Sequence, residues 1–332
     1  MIDKLELLLS LAKERHFGRA AEACGVTQPT MSTSLKQLED MLGVMLVQRG
    51  SRFQGFTPEG ERALDWARRI VGDARAMKQE INGLKDSLSG EIRIAAIPTV
   101  LGMVASLTTP FRARHPDVQF RIVSCTSAAV LGLLENLEVD AGLTYIENEP
   151  LGKVRSIPLY KESYRLLTSP DGMFGDRKQV TWAEVGQVPL CLLTPDMQNR
   201  RILDRVFASV GVTPRTVLET NCALALCSHV RPGHWFAVVP NTFFMMVGDW
   251  SQTRAVPLIE PSITNTIGLM VLERDPQPPA VSAFIEVAED IRMARELMRY
   301  APAHLKCEQA DHGAGATADT PIMHSRLTRA AS

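Results

Sequence analysis

The first 25 residues carry hydrophobic positions at helical spacing. Residues three and four apart share one face of a helix, and here they are Ile2, Leu5, Leu8, Leu9 and Ala12. This pattern predicts an amphipathic helix that ends near Arg15. A short second helix is predicted from about Gly18 to Cys24, because this stretch is rich in alanine and Gly25 suits the left-handed position beyond a helix end.

Residues 26–39, VTQPTMSTSLKQLE, are polar yet keep a helical pattern. Thr27 suits the cap of a helix with Pro29 in its first turn, and the apolar face of that helix consists of Met31, Leu35, Leu38 and Leu42. The other face carries hydroxyls, amides and one cation, at Gln28, Thr30, Ser32, Thr33 and Lys36. Short hydrogen-bonding side chains let a helix approach base edges, so the helix pair predicts a helix-turn-helix. A polar helix in a small helical domain is the alternative.

A hairpin and a long helix are predicted next. An apolar run at residues 44–47 and a returning segment at residues 53–56 flank a turn with Arg49 and Arg52, which predicts a β-hairpin whose tip contacts DNA phosphates. From Pro58 a helix is predicted to about Ser87. Its apolar stripe consists of Ala63, Ala67, Ile70, Ala74, Met77, Ile81 and Leu84. Because so small a domain cannot cover the whole stripe, we expect the helix to pair with a second copy of itself.

The chain after residue 90 alternates strand and helix patterns. Strands are predicted at residues 91–97, 118–124 and 140–145, with helices at residues 100–114 and 128–136. The second set comprises strands at residues 164–168, 189–194, 216–219, 235–240 and 267–272, and helices at residues 200–210, 221–230 and 279–298. This order predicts parallel sheets whose ligands bind at the carboxyl ends of strands. Two crossings, near residues 160–164 and 262–266, predict two lobes that form a clamp.

Polar residues that follow these strands are the candidate ligand contacts. Thr99, Thr126, Ser127 and Thr144 belong to one lobe, and Thr194 and Asn221 belong to the other. Hydroxyls, an amide and the N–H groups of helix N-termini, with no acid nearby, favour an anion. We therefore predict a small carboxylate or an inorganic oxyanion as the ligand. Each of these residues is explained equally well as a helix cap, since Ser, Thr and Asn are preferred there.

Composition and motifs narrow the function classes. Of 332 residues, 36 are Lys or Arg and 37 are Asp or Glu, so the net charge of −1 indicates neither a nucleic-acid partner nor disorder. Charges interrupt the apolar N-terminus and no apolar run could span a membrane, which predicts a cytoplasmic protein without membrane contact. The six cysteines show neither zinc nor disulfide spacing. No catalytic motif is present, so we predict no enzyme, no metal site and no cofactor besides the small ligand.

A combined pattern extends over the first 60 residues, TQPTMSTSLKQLEDMLGVMLVQR followed by FTPEG. It resembles the N-terminal domain of LysR-type transcriptional regulators, and the chain to about residue 300 follows that family's plan. The resemblance implies an all-α winged helix-turn-helix at residues 1–60, a linker helix for dimerisation at 58–89 and an α/β effector-binding domain at 90–300. This domain would resemble periplasmic solute-binding proteins, with two Rossmann-like subdomains. They are lobe I, residues 90–161 and 266–300, and lobe II, residues 162–265.

The resemblance also implies a function and partners. The chain would be a DNA-binding regulator, controlled by a small-molecule effector held between the lobes. Its implied partners are double-stranded operator DNA, the effector, a homodimer or homotetramer of itself, and RNA polymerase. Two positions depart from the family, since Thr33 stands where Arg is frequent and Val47 where Phe is frequent. Because residues 1–60 hold seven basic and seven acidic side chains, we expect DNA binding to depend only weakly on salt.

Two alternatives assign another function. A redox sensor of the same family would need a reactive cysteine pair, but Cys222 and Cys227 diverge around a predicted helix and lack nearby cations that lower a thiol pKa. A small-molecule-binding protein without a DNA role would not need the helix-turn-helix. The last segment, residues 301–332, is small and polar with three histidines, which predicts a disordered tail.

Overall fold

The computed structural model describes residues 1–48, 50, 53–83, 88–147, 154–243 and 252–300. The helices are α1 (Ile2–Glu14), α2 (Phe17–Ala23), α3 (Gln28–Leu42), α4 (Pro58–Gly83), α5 (Leu101–Arg114), α6 (Ser127–Glu135), α7 (Trp182–Val185), α8 (Gln198–Ser209), α9 (Ala223–Val230) and α10 (Pro279–Tyr300). The strands are β1 (Gly90–Ala96), β2 (Val118–Ser124), β3 (Ala141–Tyr145), β4 (Val154–Thr168), β5 (Val180–Thr181), β6 (Leu190–Leu193), β7 (Thr216–Thr220), β8 (Phe236–Pro240), β9 (Arg254–Ile259) and β10 (Thr264–Leu272).

The chain divides into two compact units. The first, Met1–Ile291, contains every element up to most of α10, and the second begins at Arg292. Of the second unit, the structure describes the backbone of α10 as far as Tyr300. The predicted tail at residues 301–332 lies outside the described residues. None of the helices in the described ranges combines the length and apolar character needed to cross a bilayer.

Helix α3 begins where the sequence predicts. The Thr27 hydroxyl accepts the N–H of Thr30 at 3.4 Å, and Pro29 lies in the first turn. The side chains of Met31, Leu35 and Leu38 are buried against α1 and α2. The prediction for Leu42 was wrong, because this last residue of the helix is 47% exposed. The helix ends immediately after it, where Gly43 adopts the left-handed conformation with φ of 71°.

The predicted hairpin is shorter than its apolar residues suggested. Among the described residues, Val47 and Phe56 form a single antiparallel bridge, and the Gln48 N–H donates to the Gly55 carbonyl at 3.0 Å. The strand pattern from residue 44 was misleading because a side chain takes the place of a partner strand. The Glu39 carboxylate accepts the N–H groups of Leu46 and Val47.

Helix α4 packs along α1 over its first half. Leu64, Ala67 and Val71 are buried in the core of the N-terminal domain. The second half leaves large apolar side chains in solvent, with Met77 53% and Ile81 49% exposed. Leu84, the last residue of the predicted stripe, lies outside the described residues. The stripe is therefore covered by the chain's own domain only near its start.

The effector-domain strands form one sheet of mixed direction. Its order is β2-β1-β3-β10-β4-β8-β6-β7, with β9 pairing with β4 and β5. We call the part around β1, β2 and β3 lobe I and the part around β6, β7 and β8 lobe II. Strands within each lobe are parallel, as predicted, but β4 and β10 run antiparallel to their neighbours. A wholly parallel sheet was the wrong expectation, because these two strands are the crossings between the lobes.

Strand β4 belongs to both lobes. It pairs with β10 from Val154 to Ser163 and with β8 and β9 from Tyr164 to Thr168. The sequence pattern predicted only the last third of this strand, residues 164–168, and missed β5, α7 and β9. The predicted fold class, a winged helix-turn-helix with a linker helix and a two-lobed α/β domain, is confirmed.

One ion pair connects α4 to the effector domain within the first unit. Arg274, which follows β10, pairs with Asp73 in the middle of α4. The neighbouring Gly72 lies so close that an added Cβ would be 2.9 Å from a methyl group of Leu137. Helix α4 is therefore held to lobe I by both charge and close packing.

Candidate DNA interface and effector cleft

The polar face of α3 is open to solvent. Its predicted DNA contacts that the structure describes are all exposed: Thr27, Gln28, Pro29, Thr30, Ser32, Thr33 and Lys36. The hydroxyls of Thr27 and Thr30 share a hydrogen bond of 2.8 Å, while the opposite face of the helix is buried. A helix with small polar groups outward and a firmly packed back can enter a major groove. The other two predicted contacts, Arg49 and Arg52, lie outside the described residues.

The structure adds a positioning residue that the sequence analysis did not assign. Glu39 lies on α3, and its Oε1 accepts the N–H of Leu46 at 2.7 Å and the N–H of Val47 at 3.2 Å. Thr57 holds the same segment from the other side, since its hydroxyl donates to the Met45 carbonyl at 2.6 Å. The start of the wing is thus fixed to the recognition helix by side chains rather than by a strand ladder.

The lobe I candidates follow three neighbouring strands. Ser127 and Thr144 are fully buried, and the Thr144 hydroxyl donates to the Ser127 hydroxyl at 2.8 Å. Thr126 caps α6 by accepting the N–H of Ala129 at 3.2 Å, so the capping explanation applies to it. Thr99 is buried, and its hydroxyl oxygen has no hydrogen-bond partner among the described residues. It caps nothing, which leaves its hydroxyl available to a ligand.

The lobe II candidates lie beyond the parallel pair β6 and β7. The Thr194 N–H donates to the Thr220 carbonyl at 3.0 Å, and the buried Thr194 hydroxyl oxygen has no partner in the described part of the chain. Asn221 is exposed and stands one residue before Cys222, the N-cap of α9. Neither Cys222 nor Met197, the N-cap of α8, supplies a side-chain cap. The first N–H groups of both helices therefore lack a capping side chain.

A buried polar cluster joins the lobes. We call it the interlobe cluster, and it consists of Tyr145, Glu162, Tyr164, Asn199 and Asn265. The Tyr145 hydroxyl donates to Glu162 Oε1 at 2.5 Å and accepts from Asn199 Nδ2 at 3.1 Å. The Tyr164 hydroxyl lies 3.4 Å from the same Oε1 and accepts from Asn265 Nδ2 at 3.3 Å. Since Tyr145 ends β3 and Asn199 lies in the first turn of α8, one hydrogen bond connects the two lobes.

Burial changes the acid–base behaviour of this cluster. The desolvation of Glu162 raises the pKa of its carboxyl to about 7, although the two tyrosine hydroxyls act to lower it. Burial also raises the pKa of Tyr145 and of Tyr164 well above 10. The prediction that no acid lies near the candidate ligand contacts was therefore wrong. Glu162 accepts a hydrogen bond from Tyr145, which directly follows Thr144 in the chain. The alternation Tyr160, Glu162, Tyr164 was the available signal, since it places these residues on one strand face.

Two buried cysteines, Cys191 and Cys227, lie in environments that suppress reactivity. Burial, together with a smaller contribution from Cys222, raises the pKa of the Cys227 thiol to about 12. Burial likewise raises the pKa of Cys191 to about 11. Both thiols are fully buried and stay protonated at neutral pH, whereas the thiolate is the form that reacts with oxidants. Cys222 is exposed, but the cysteine beside it, Cys227, is buried and has a strongly raised thiol pKa. This environment does not favour a peroxide-reactive pair.

Comparison with known proteins assigns the family. The model described as "Bacterial regulatory helix-turn-helix protein, lysR family" matches residues 2–61, and "LysR substrate binding domain" matches residues 85–291. The chain belongs to the LysR family. This LysR-family protein is a DNA-binding transcriptional regulator with an effector-binding domain.

Named relatives of this regulator respond to different signals. A "Hydrogen peroxide-inducible genes activator" of Dickeya chrysanthemi is 30% identical over 297 residues, 89% of this chain and 96% of the relative. A "Probable nitrogen assimilation transcriptional activator" of Synechococcus elongatus is 26% identical over 88% of this chain and 96% of its own. A full-length OxyR variant from Pseudomonas aeruginosa has a TM-score of 0.67 at 23% identity, covering 88% of this chain and 94% of that one. This last likeness concerns the fold alone.

Proposed function

We propose that this LysR-family regulator reads its operator with the exposed face of α3. The observation that carries the proposal is the contrast between the two sides of that helix. Its apolar side is buried, whereas its opposite side over residues 28–37 presents hydroxyls, amides, Pro29 and the Lys36 cation. Ser32 and Gln28 would contact base edges, and Lys36 would contact a phosphate.

A binding experiment separates these roles. An operator is first selected from random duplex DNA with the full-length chain, and its affinity is then measured across salt concentrations. Lys36→Ala should weaken binding to all sequences and lower the salt slope by about one ion per subunit. Lys178→Ala, an equally exposed lysine in the effector half, should change neither. The proposal would be refuted if Lys36→Ala and Lys178→Ala weakened binding equally. It would also be refuted if selection from random DNA gave no preferred sequence.

We propose that the operator is bound by a symmetric homodimer, or by a tetramer built from such dimers. Trp66 is 63% exposed and lies on α4 with Met77 and Ile81, which are also uncovered. A long helix with apolar side chains in solvent suits pairing with its twin. Replacing Met77 and Ile81 by Glu should lower the molecular mass measured by light scattering. RNA polymerase is a further proposed partner, on the family resemblance alone.

We propose that the effector is a small carboxylate or inorganic oxyanion held between the lobes. Thr99 and Thr194 offer buried hydroxyls without partners among the described residues, and the N-termini of α8 and α9 lack side-chain caps. Helix N-termini and hydroxyl donors stabilise negative charge. The neutral form of Glu162 is compatible with an anion in the same cleft, because it adds no repulsion.

A thermal-shift screen tests the effector class. The full-length chain is scanned with carboxylates and with sulfur and phosphorus oxyanions. Thr99→Val should abolish the shift given by any anion that stabilises the chain. Thr108→Val is the control, because the Thr108 hydroxyl is bonded within α5 to the Val104 carbonyl at 3.2 Å. A stabilising anion whose shift survives Thr99→Val binds elsewhere, and stabilisation only by cations would reject the class.

A further inference from the structure

The interlobe cluster contains a carboxyl group that effector binding and DNA binding leave unexplained. Glu162 is fully buried on β4, two residues before the strand changes from β10 to β8 as its partner. Its Oε1 receives both tyrosine hydroxyls, but its Oε2 is buried without a hydrogen-bond partner among the described residues. A charged carboxylate oxygen that is cut off from water and from donors is costly. The described arrangement therefore favours the neutral acid.

The groups around Glu162 do not offset a negative charge. The titratable groups in contact with it are the phenols of Tyr145 and Tyr164, which remain neutral donors. Arg200 of α8 is held by two acids of its own lobe, and Glu147 is bonded to the β10 backbone. In the described residues, no cation is among the causes of the raised pKa of Glu162. The Glu162 carboxyl is therefore neutralised by binding a proton rather than by pairing with a cation.

The same group is bonded to both lobes. Asn199 of lobe II donates to Tyr145 of lobe I, and Tyr145 donates to Glu162 on the crossing strand. A rotation that opened the lobes about β4 would break the bond from Asn199 and let water approach Oε2. We propose that Glu162 is a proton-linked latch, which favours the described lobe arrangement when protonated and a more open arrangement when it loses its proton.

Because proton binding and the lobe arrangement are linked, the effect of pH on the lobe equilibrium has one predictable sign. A buried acid whose pKa is raised from 4.5 to about 7 stabilises the described arrangement fully at low pH. That stabilisation is lost as the pH rises through about 7. Between 4.5 and about 7, each pH unit shifts the equilibrium towards the open arrangement by up to about tenfold, because only the open arrangement has released the proton, and above about 7 the shift levels off.

Hydrogen exchange on the full-length chain tests the latch. Exchange is followed at residues 201–204 of α8, the first of which donates its N–H to the Met197 carbonyl at 3.1 Å, from pH 5 to 8.5, and is corrected for intrinsic rates. Opening in the unchanged chain should increase by up to about tenfold per pH unit between pH 5 and 7 and level off above pH 7. Glu162→Gln keeps the shape and stays neutral, so its opening should not depend on pH. Glu273→Gln makes the same change at an exposed position just after β10 and should behave like the unchanged chain.

A second variant separates the latch from a purely structural acid. Tyr145→Phe removes the connection to Asn199 but keeps Glu162, so exchange in α8 should be fast at every pH. If Tyr145→Phe does not fold, Asn199→Ala removes the same bond from lobe II. Parallel pH profiles for Glu162→Gln and the unchanged chain would overturn the proposal. The proposal would also fail if Glu162→Gln removed the pH dependence of the melting temperature while exchange in α8 did not depend on pH in either chain.

Discussion

Removing the Glu39 carboxylate should loosen the wing without unfolding α3. In Glu39→Ala the N–H groups of Leu46 and Val47 lose their acceptor, and Leu46 is almost completely buried. A buried donor left without a partner costs about 1 to 3 kcal/mol, and the partly exposed donor of Val47 about 1 kcal/mol, so the two together cost about 2 to 4 kcal/mol. At 1.36 kcal/mol per factor of ten, opening of this segment should increase about 30-fold to 1000-fold.

Hydrogen exchange of residues 44–48 and operator affinity are the two measurements. Both should change in Glu39→Ala, because a loosened wing must be ordered again when DNA binds. Asp40→Ala is the matched control, since it removes the same charge from the next, exposed position of α3. Unchanged exchange in Glu39→Ala would refute the reasoning. Equal loss of affinity in both variants would instead assign the effect to charge alone.

Three further outcomes are expected. Gly60→Ala should abolish operator binding, because an added Cβ would lie 2.0 Å from a wing carbonyl, whereas Gly132→Ala meets no atom within 4 Å and should be tolerated. Thr144→Val should lower the free energy of unfolding in urea by about 1 to 2 kcal/mol, because it leaves the buried Ser127 hydroxyl unpaired. Peroxide should leave operator affinity unchanged, and a peroxide response that Cys222→Ser abolishes would show the redox interpretation to be the right one.

Local signals predicted the DNA-binding half better than the cleft. The cap at Thr27, the proline after it and the spacing of Met31, Leu35 and Leu38 are enough to place α3 and its exposed face. These features act within a few residues of one another. The wing was misjudged because the partner of its first N–H groups is a side chain seven and eight positions away, which no strand pattern contains.

The interlobe cluster could not be predicted from local pattern. Asn199 and Tyr145 are 54 positions apart, and their contact depends on how two lobes meet. Glu162 stands among alternating residues of a strand, where a carboxylate ordinarily faces solvent. It is fully buried where β4 pairs with β10 and where its partner Tyr145 accepts a hydrogen bond from Asn199 of α8. Tertiary packing, rather than composition, makes this acid unusual.

The shared strand β4 also determines what kind of motion an effector can cause. Its ladder bonds keep the lobes in register, so they can rotate about the region of Ser163 and Tyr164 but cannot slide apart. The arm from Val154 to Ser163 is about 30 Å long, so a rotation of about 10° moves its far end by about 5 Å. The ion pair between Arg274 and Asp73 lies beyond that arm. A small angular change in the cleft would therefore reach the linker helix as a displacement comparable to one helical turn.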